Sequence, residues 1–301
     1  MKNRTIAMLL GSAPVALSAI HATQCLAMEL PKEAMSEPLD SAMVGQGERF
    51  AISRGVAVVP IKGLLTPNMF ALERWLGWST YHGIEETMGE LSANDEVGAI
   101  VCEIDSPGGL VIGMEAAAEA IARAAAIKPV HVLVNPLAAS AAYWLASQAT
   151  DIAMTPGSLV GSIGTAVSAN SHEKTDGRGD RWYQMTSEHA RAKMPDPATD
   201  EGKAEYMRRL NESEARFHEA VAKGRGISLA DLPAKLSVSD DVADGGATFQ
   251  SDAAIERGLA DTAELRAAFY DRVFSTYTMK PRKGTRAFSA LAGAAQALAH
   301  T

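Results

Sequence analysis

Short apolar runs separated by glycine and proline dominate the middle of the chain, and their spacing changes from run to run. Val56 to Ile61, ending at Gly63, reads as a buried strand, and Val97 to Ile104 as a second. Between them, Ile84, Met88 and Leu91 recur at helical spacing and predict a helix over 81–91. Met114, Ala117, Ala118, Ile121 and Ala125 predict another. Val130 to Val134 is a third strand, broken at Asn135-Pro136. Ala138, Ala139 and Ser140 follow, and then a helical pattern through Ala142, Tyr143, Leu145, Ala146 and Ala149. Asp151 to Met154 is a fourth strand. This alternation predicts an α/β fold with mainly parallel strands. Further on, Thr199 caps a long helix with an acidic first turn, an apolar face of Tyr206, Leu210, Phe217 and Val221, and an end at Gly224. Ser251 to Arg257 is a short helix closed by Gly258.

The remaining stretches lack such periods. Residues 64–80 carry Phe70, Trp75 and Trp78 among polar residues, which fits a loop with aromatic anchors serving as a lid or an oligomer contact. Residues 29–49 read as a linker, 170–181 as a Gly-rich loop, 182–185 as a short strand, and the stretch from Lys280 as a loosely held tail. The expected organisation is an N-terminal arm or targeting segment over 1–49, one domain over 50–270 and a tail over 271–301. Lys2 and Arg4 before the apolar stretch Ile6–Ile20 fit a secretory signal. Gly11, Ser12 and Pro14 interrupt that stretch, and it is short for a membrane span.

Composition narrows the function. With 301 residues, 47% of them hydrophobic, the chain can bury a full core. A net charge of -8 argues against a nucleic-acid binder held by phosphate contacts. Two cysteines, Cys25 and Cys102, make neither a disulfide framework nor a metal cluster, and Cys102 in its apolar run reads as a small core residue.

Four features could carry chemistry. Ser140 falls at a strand-to-helix turn, where free helix N–H groups and the helix dipole stabilise negative charge. That suits a nucleophile attacking a carbonyl, although an ordinary N-cap serine gives the same pattern. Ser106-Pro107-Gly108-Gly109 ends a strand, and paired glycines let backbone N–H groups approach a ligand closely, as in an oxyanion hole. A plain Pro-Gly turn reads identically. Gly161-Ser162-Ile163-Gly164 is a further turn with a hydroxyl. Lys193 lies between Ala192 and Met194. A lysine in an apolar pocket loses its charge readily and can then take a proton from a serine.

In order along the chain, IDSPGG, LAASAAYWLASQA, GSLVGSIGT and ATFQSDAAIERGLAD resemble the S49 peptidases, the signal peptide peptidase A and phage protein C family. The resemblance runs from about Val56 to Asp261. It implies a ClpP/crotonase-like fold, a spiral of strand-strand-helix units, and a Ser-Lys dyad without a triad histidine or cofactor. Residue by residue, it implies Ser140 as nucleophile, the backbone of Gly109 or Gly108 and of Ala141 as oxyanion donors, and Ser162 as the hydroxyl orienting the lysine. Two departures stand out. Ala141 and Ala142 replace glycines that often follow the family's serine, which leaves the backbone N–H in place. The family's lysine often lies a little further before the proline, where this chain has Arg191. Arginine cannot be deprotonated in a protein, so the base is assigned to Lys193, with Lys174 as the runner-up.

The stretch LERWLGWSTYHGIEE is similar to the phage branch of the family. The expectation is therefore a phage or prophage head-maturation peptidase, acting on extended scaffold or capsid proteins as a homo-oligomer in the host cytoplasm or prohead. A signal-peptide-degrading bacterial peptidase, membrane-associated or exported through the N-terminal segment, is the alternative within enzymes. A structural head protein with a lapsed site is the alternative outside them.

Overall fold

The computed structural model describes residues 5–7, 13–29, 48–168 and 185–278. Lys174 and most of the expected strand 182–185 lie outside those residues.

A central sheet runs in the order β10-β7-β6-β4-β3-β2. Its strands are β2 (Ala51–Ser53), β3 (Val56–Lys62), β4 (Ala99–Ser106), β6 (Val130–Ala139), β7 (Asp151–Met154) and β10 (Thr262–Ala263). All neighbours pair in parallel except β2, which pairs antiparallel with β3. Period-2 alternation assigns each strand's side chains to two faces. On one face Ala57, Val59, Ile61, Ile100, Cys102, Val132 and Ile152 join the main core. On the other, Val56, Val101, Leu133 and Ala153 meet Phe269 and Val273. These strands are buried on both sides, which is why they read as unbroken apolar runs. Burial pushes the Cys102 thiol up to about 12, so it stays a protonated core group.

The main face is covered by α3 (Tyr81–Ala93), α4 (Met114–Ile127) and α5 (Ala141–Ala146). Short second strands complete each unit: β5 (Gly108–Leu110) follows β4 before α4, and β8 (Leu159–Gly161) follows β7. The long strand β6 serves both roles itself, pairing with β7 through Val134 and with β8 from Leu137 onward. The result is the spiral of strand-strand-helix units expected from the sequence.

Some elements differ from the sequence reading. Residues 64–80 contain a helix, α2 (Phe70–Leu76). Trp78 is buried against Leu64, Leu72 and Ile6, and lies directly under Gly63. That aromatic therefore anchors its own core. The long helix α6 (Asp200–Arg225) runs past Gly224 and ends at Gly226, which takes the left-handed conformation. Its start is as expected, with the Thr199 hydroxyl accepting from Gly202 N–H at 3.0 Å. The short α7 (Leu232–Leu236), β9 (Thr248–Gln250) and α8 (Ser251–Glu256) lead back to the sheet. The boundary expected at residue 270 falls inside α9 (Arg266–Tyr277), whose Phe269 and Val273 are buried on the sheet. Glu103 on β4 holds that helix, accepting from Arg266 Nε at 2.8 Å and Tyr270 Oη at 2.6 Å.

The described residues of the N-terminal arm include two elements. Val15–Leu17 forms β1, antiparallel to β5, and Ala19–Ala27 forms α1. No described helix is long and apolar enough to cross a membrane.

Candidate active site

Ser140 sits between β6 and α5 with φ 55° and ψ -121°. A side chain at positive φ is held there against steric cost. Two anchors over-determine it. Its N–H donates to Gly161 O at 2.7 Å, and its carbonyl accepts from Trp144 N–H at 3.0 Å. All six residues of α5 are buried, and Tyr143 Oη donates to Leu259 O at 2.9 Å. Small alanines let this helix lie close to the sheet. Ser140 is 1% exposed, and among the described residues its Oγ has no hydrogen-bond partner. A buried hydroxyl without a partner costs stability, so the fold does not explain it as a cap.

Gly108 and Gly109 lie beside the serine. Gly108 has φ 104°, and a Cβ there would meet Ala16 O at 2.3 Å and Ser140 Cβ at 3.0 Å. Gly109 is pressed against Leu65, whose carbonyl oxygen would be 1.9 Å from an added Cβ. Both positions therefore require glycine. The Gly108 N–H donates to Ser106 Oγ at 3.1 Å, and that hydroxyl donates onward to Gly63 O at 2.7 Å. With the Gly108 donor engaged, Gly109 is the better candidate for an oxyanion donor, together with Ala141 at the start of α5.

Ser162 also has positive φ, 53°, and its N–H donates to Ala247 O at 2.7 Å. Since Gly161 holds the Ser140 N–H, the Gly161-Ser162 turn and the serine turn are joined through the backbone. The sequence pattern thus leads to one locality for Ser140, Gly108, Gly109, Ala141 and Ser162.

Lys193 is placed differently from the expectation of an apolar pocket. It ends a 3-10 turn, Arg191–Lys193, and is exposed. Arg209 on α6 holds that turn by donating to Ala192 O. Lys193 borders a hollow of about 220 Å³ shared with Pro14, Val167, Tyr206 and Leu210. It makes no hydrogen bond to the Ser140 hydroxyl. Arg191, the other residue at this position of the pattern, is in the same exposed turn.

A buried serine on a strained strand-to-helix turn, with glycine backbone beside it, has the geometry that attack on a carbonyl would use. The sequence profile of peptidase family S49 matches residues 122–276, just over half of the chain, and the chain belongs to that family. It is 33% identical over 127 residues to capsid assembly protease C of Escherichia phage lambda, covering 42% of this chain and 29% of that protein. It is 29% identical over 215 residues to head-tail preconnector protein GP5 of Enterobacteria phage P21, covering 70% and 41%. Protease 4 of Haemophilus influenzae is 27% identical over 219 residues, covering 71% and 33%. The chain thus spans less than half the length of each of these relatives.

What sequence reasoning missed is the role of Val15–Leu17. Its apolar character was read as part of a targeting stretch, and three residues are too few to display a strand period.

Proposed function

We propose that the chain is a serine endopeptidase whose nucleophile is Ser140. The observation that carries this reading is the buried Ser140 Oγ, without a hydrogen-bond partner among the described residues, on a backbone held at positive φ. In the proposed reaction Ser140 Oγ attacks the substrate carbonyl while Lys193 takes the hydroxyl proton. The resulting oxyanion is held by the backbone N–H groups of Gly109 and Ala141. Lys193 then returns the proton to the leaving amine, and water completes the hydrolysis of the acyl-enzyme. Ser162 orients the lysine. This assignment requires the turn carrying Lys193 to close towards Ser140 and lose its exposure, a change that assembly into a homo-oligomer or substrate binding would supply.

The proposed substrates are extended segments of phage scaffold or capsid proteins, processed in the host cytoplasm or prohead. The likeness to capsid assembly protease C supports that context. The second reading, a peptidase that degrades cleaved signal peptides at or beyond the membrane, is favoured by the likeness to protease 4 over 71% of the chain. A lapsed structural head protein is the reading that loss of activity would favour. The deciding experiment is digestion of a peptide library and of unfolded protein substrates, with wild type and Ser140→Ala. Cleavage that disappears in Ser140→Ala supports the peptidase. Cleavage unchanged in Ser140→Ala, or absent from the assembled wild type, refutes it.

A further inference from the structure

The strand β1 occupies an unusual place. It forms a two-stranded sheet with β5 alone, outside the central sheet. The register pairs Val15 with Leu110, Ala16 with Gly109 and Leu17 with Gly108. On its other edge Val15 N–H donates to Ala166 O at 3.0 Å, and Ala166 N–H donates to Val15 O at 2.9 Å. Five residues therefore lie in a slot between the glycine strand and the loop after Gly164. Both backbone edges of the segment are used, as an extended peptide added to a sheet edge would use them.

The register also places a particular peptide bond. Val111 N–H donates to Pro14 O at 3.1 Å, and Ser18 N–H donates to Pro107 O at 2.8 Å. Bonded pairs alternate along an antiparallel ladder, so the Ala16/Gly109 pair between them is a bonded position. This directs the Gly109 N–H to the Ala16 carbonyl. That carbonyl oxygen and the Ser140 Cβ both crowd the same point beside Gly108, at 2.3 and 3.0 Å from a Cβ built there. Ala16 itself is fully buried. The Ala16–Leu17 peptide is thus seated where a carbonyl facing Ser140 would be, with a small side chain at the tightest point.

We infer that Pro14–Ser18 is a pseudosubstrate strand: the chain's own occupant of its peptide groove, which an extended polypeptide must displace. The inference deepens the peptidase reading and rests on it for the identity of the groove. It also defines the substrate class as an extended backbone with a small residue, alanine in this occupant, opposite Gly109. Pro14 borders the hollow next to Lys193. Departure of the strand therefore also frees the wall against which the Lys193 turn would close.

The test separates binding from chemistry by using full-length Ser140→Ala throughout. The probe is a fluorescein-labelled heptapeptide with the sequence of residues 13–19, followed by anisotropy. Val15→Pro removes the N–H that bonds Ala166 and weakens the inner strand. The double variant should bind the probe at least about fivefold tighter than Ser140→Ala alone, the factor expected for one lost backbone hydrogen bond in the competitor. Equal affinity overturns the inference. A second measurement needs no change in the strand: hydrogen exchange of Ser140→Ala with and without saturating unlabelled peptide. Residues 13–18 should be protected alone and lose protection when peptide binds. Unchanged protection, or none at the outset, overturns the inference even if Val15→Pro fails to fold. If both binding results hold while wild type and Val15→Pro cleave nothing, the groove stands and the peptidase reading falls.

Discussion

The backbone of Ser140 offers a measure of strain that does not depend on catalysis. At φ 55° and ψ -121°, a residue with a Cβ is held at a cost of about 1–3 kcal/mol. Replacing it by alanine removes a buried hydroxyl that has no partner among the described residues, so Ser140→Ala should unfold no more easily than wild type. Replacing it by glycine also removes the Cβ, and with it the strain. The control is Ala142→Gly, two residues on in α5 and equally buried. There an alanine-to-glycine step loses about 1 kcal/mol of helix propensity and about 0.8 kcal/mol for one buried carbon, so about 2 kcal/mol in all. At position 140 the same step should cost about 2 kcal/mol less and come out near zero, because strain relief offsets it. Urea unfolding with linear extrapolation measures the three variants against wild type. Ser140→Gly lying as far below Ser140→Ala as Ala142→Gly lies below wild type would show that the turn is unstrained. Neither variant at position 140 should hydrolyse peptide.

Further outcomes follow from other parts of the site and frame. Lys193→Ala and Lys193→Arg should both lose at least about a hundredfold in kcat, the range of a general base, because arginine cannot accept the proton; full activity in Lys193→Arg would remove this residue from the mechanism. Gly109→Ala places a Cβ against Leu65 O and should lower kcat more than it raises KM, read by steady-state kinetics on a peptide substrate. Burial raises the Glu103 carboxyl, but hydrogen bonds from Arg266, Tyr270 and Asn135 outweigh it and hold the group below its ordinary 4.5. Its contribution is therefore present above about pH 4.5 and is lost as the pH falls through the depressed value. Glu103→Gln should reduce stability at neutral pH by about 1–3 kcal/mol and flatten the acid limb of the stability profile, measured by unfolding across pH.

Several elements were legible in the sequence because their periods were long enough to read. The parallel strands announced themselves as continuous apolar runs, and α3, α4 and α6 through their i, i+3, i+4 spacing. The serine turn was legible in the small residues before Ser140, but the break expected at Asn135-Pro136 is not the strand's end: β6 runs on through it to Ala139, changing partner from β7 to β8. The glycines were legible as a pair, yet not the division of labour between them, since Ser106 Oγ capturing the Gly108 N–H depends on tertiary placement. Lys193 illustrates the opposite limit. A sequence names a basic residue before a proline, but exposure is decided by what packs over it, here the anchoring of its turn on α6 by Arg209. The helix within 64–80 was hidden by its shortness, since the seven residues of α2 span barely two turns and show no repeated period, and the end of α6 by Gly224, which lies inside the helix and whose missing Cβ admits Ser147 O, 2.1 Å from where that atom would be.

The fully buried α5 has a bearing on how this scaffold could change its preferences. Its side chains are three alanines, Tyr143, Trp144 and Leu145, and Trp144 stacks on Phe217 with ring centroids 4.6 Å apart. Enlarging any of those positions would push on the sheet before it altered a pocket. On the proposed peptidase reading, selection for a new cleavage site therefore has little room beside the serine and must work on the slot's outer walls. The exposed segment around Ala166 is where new side chains could be tried while the serine turn stays untouched.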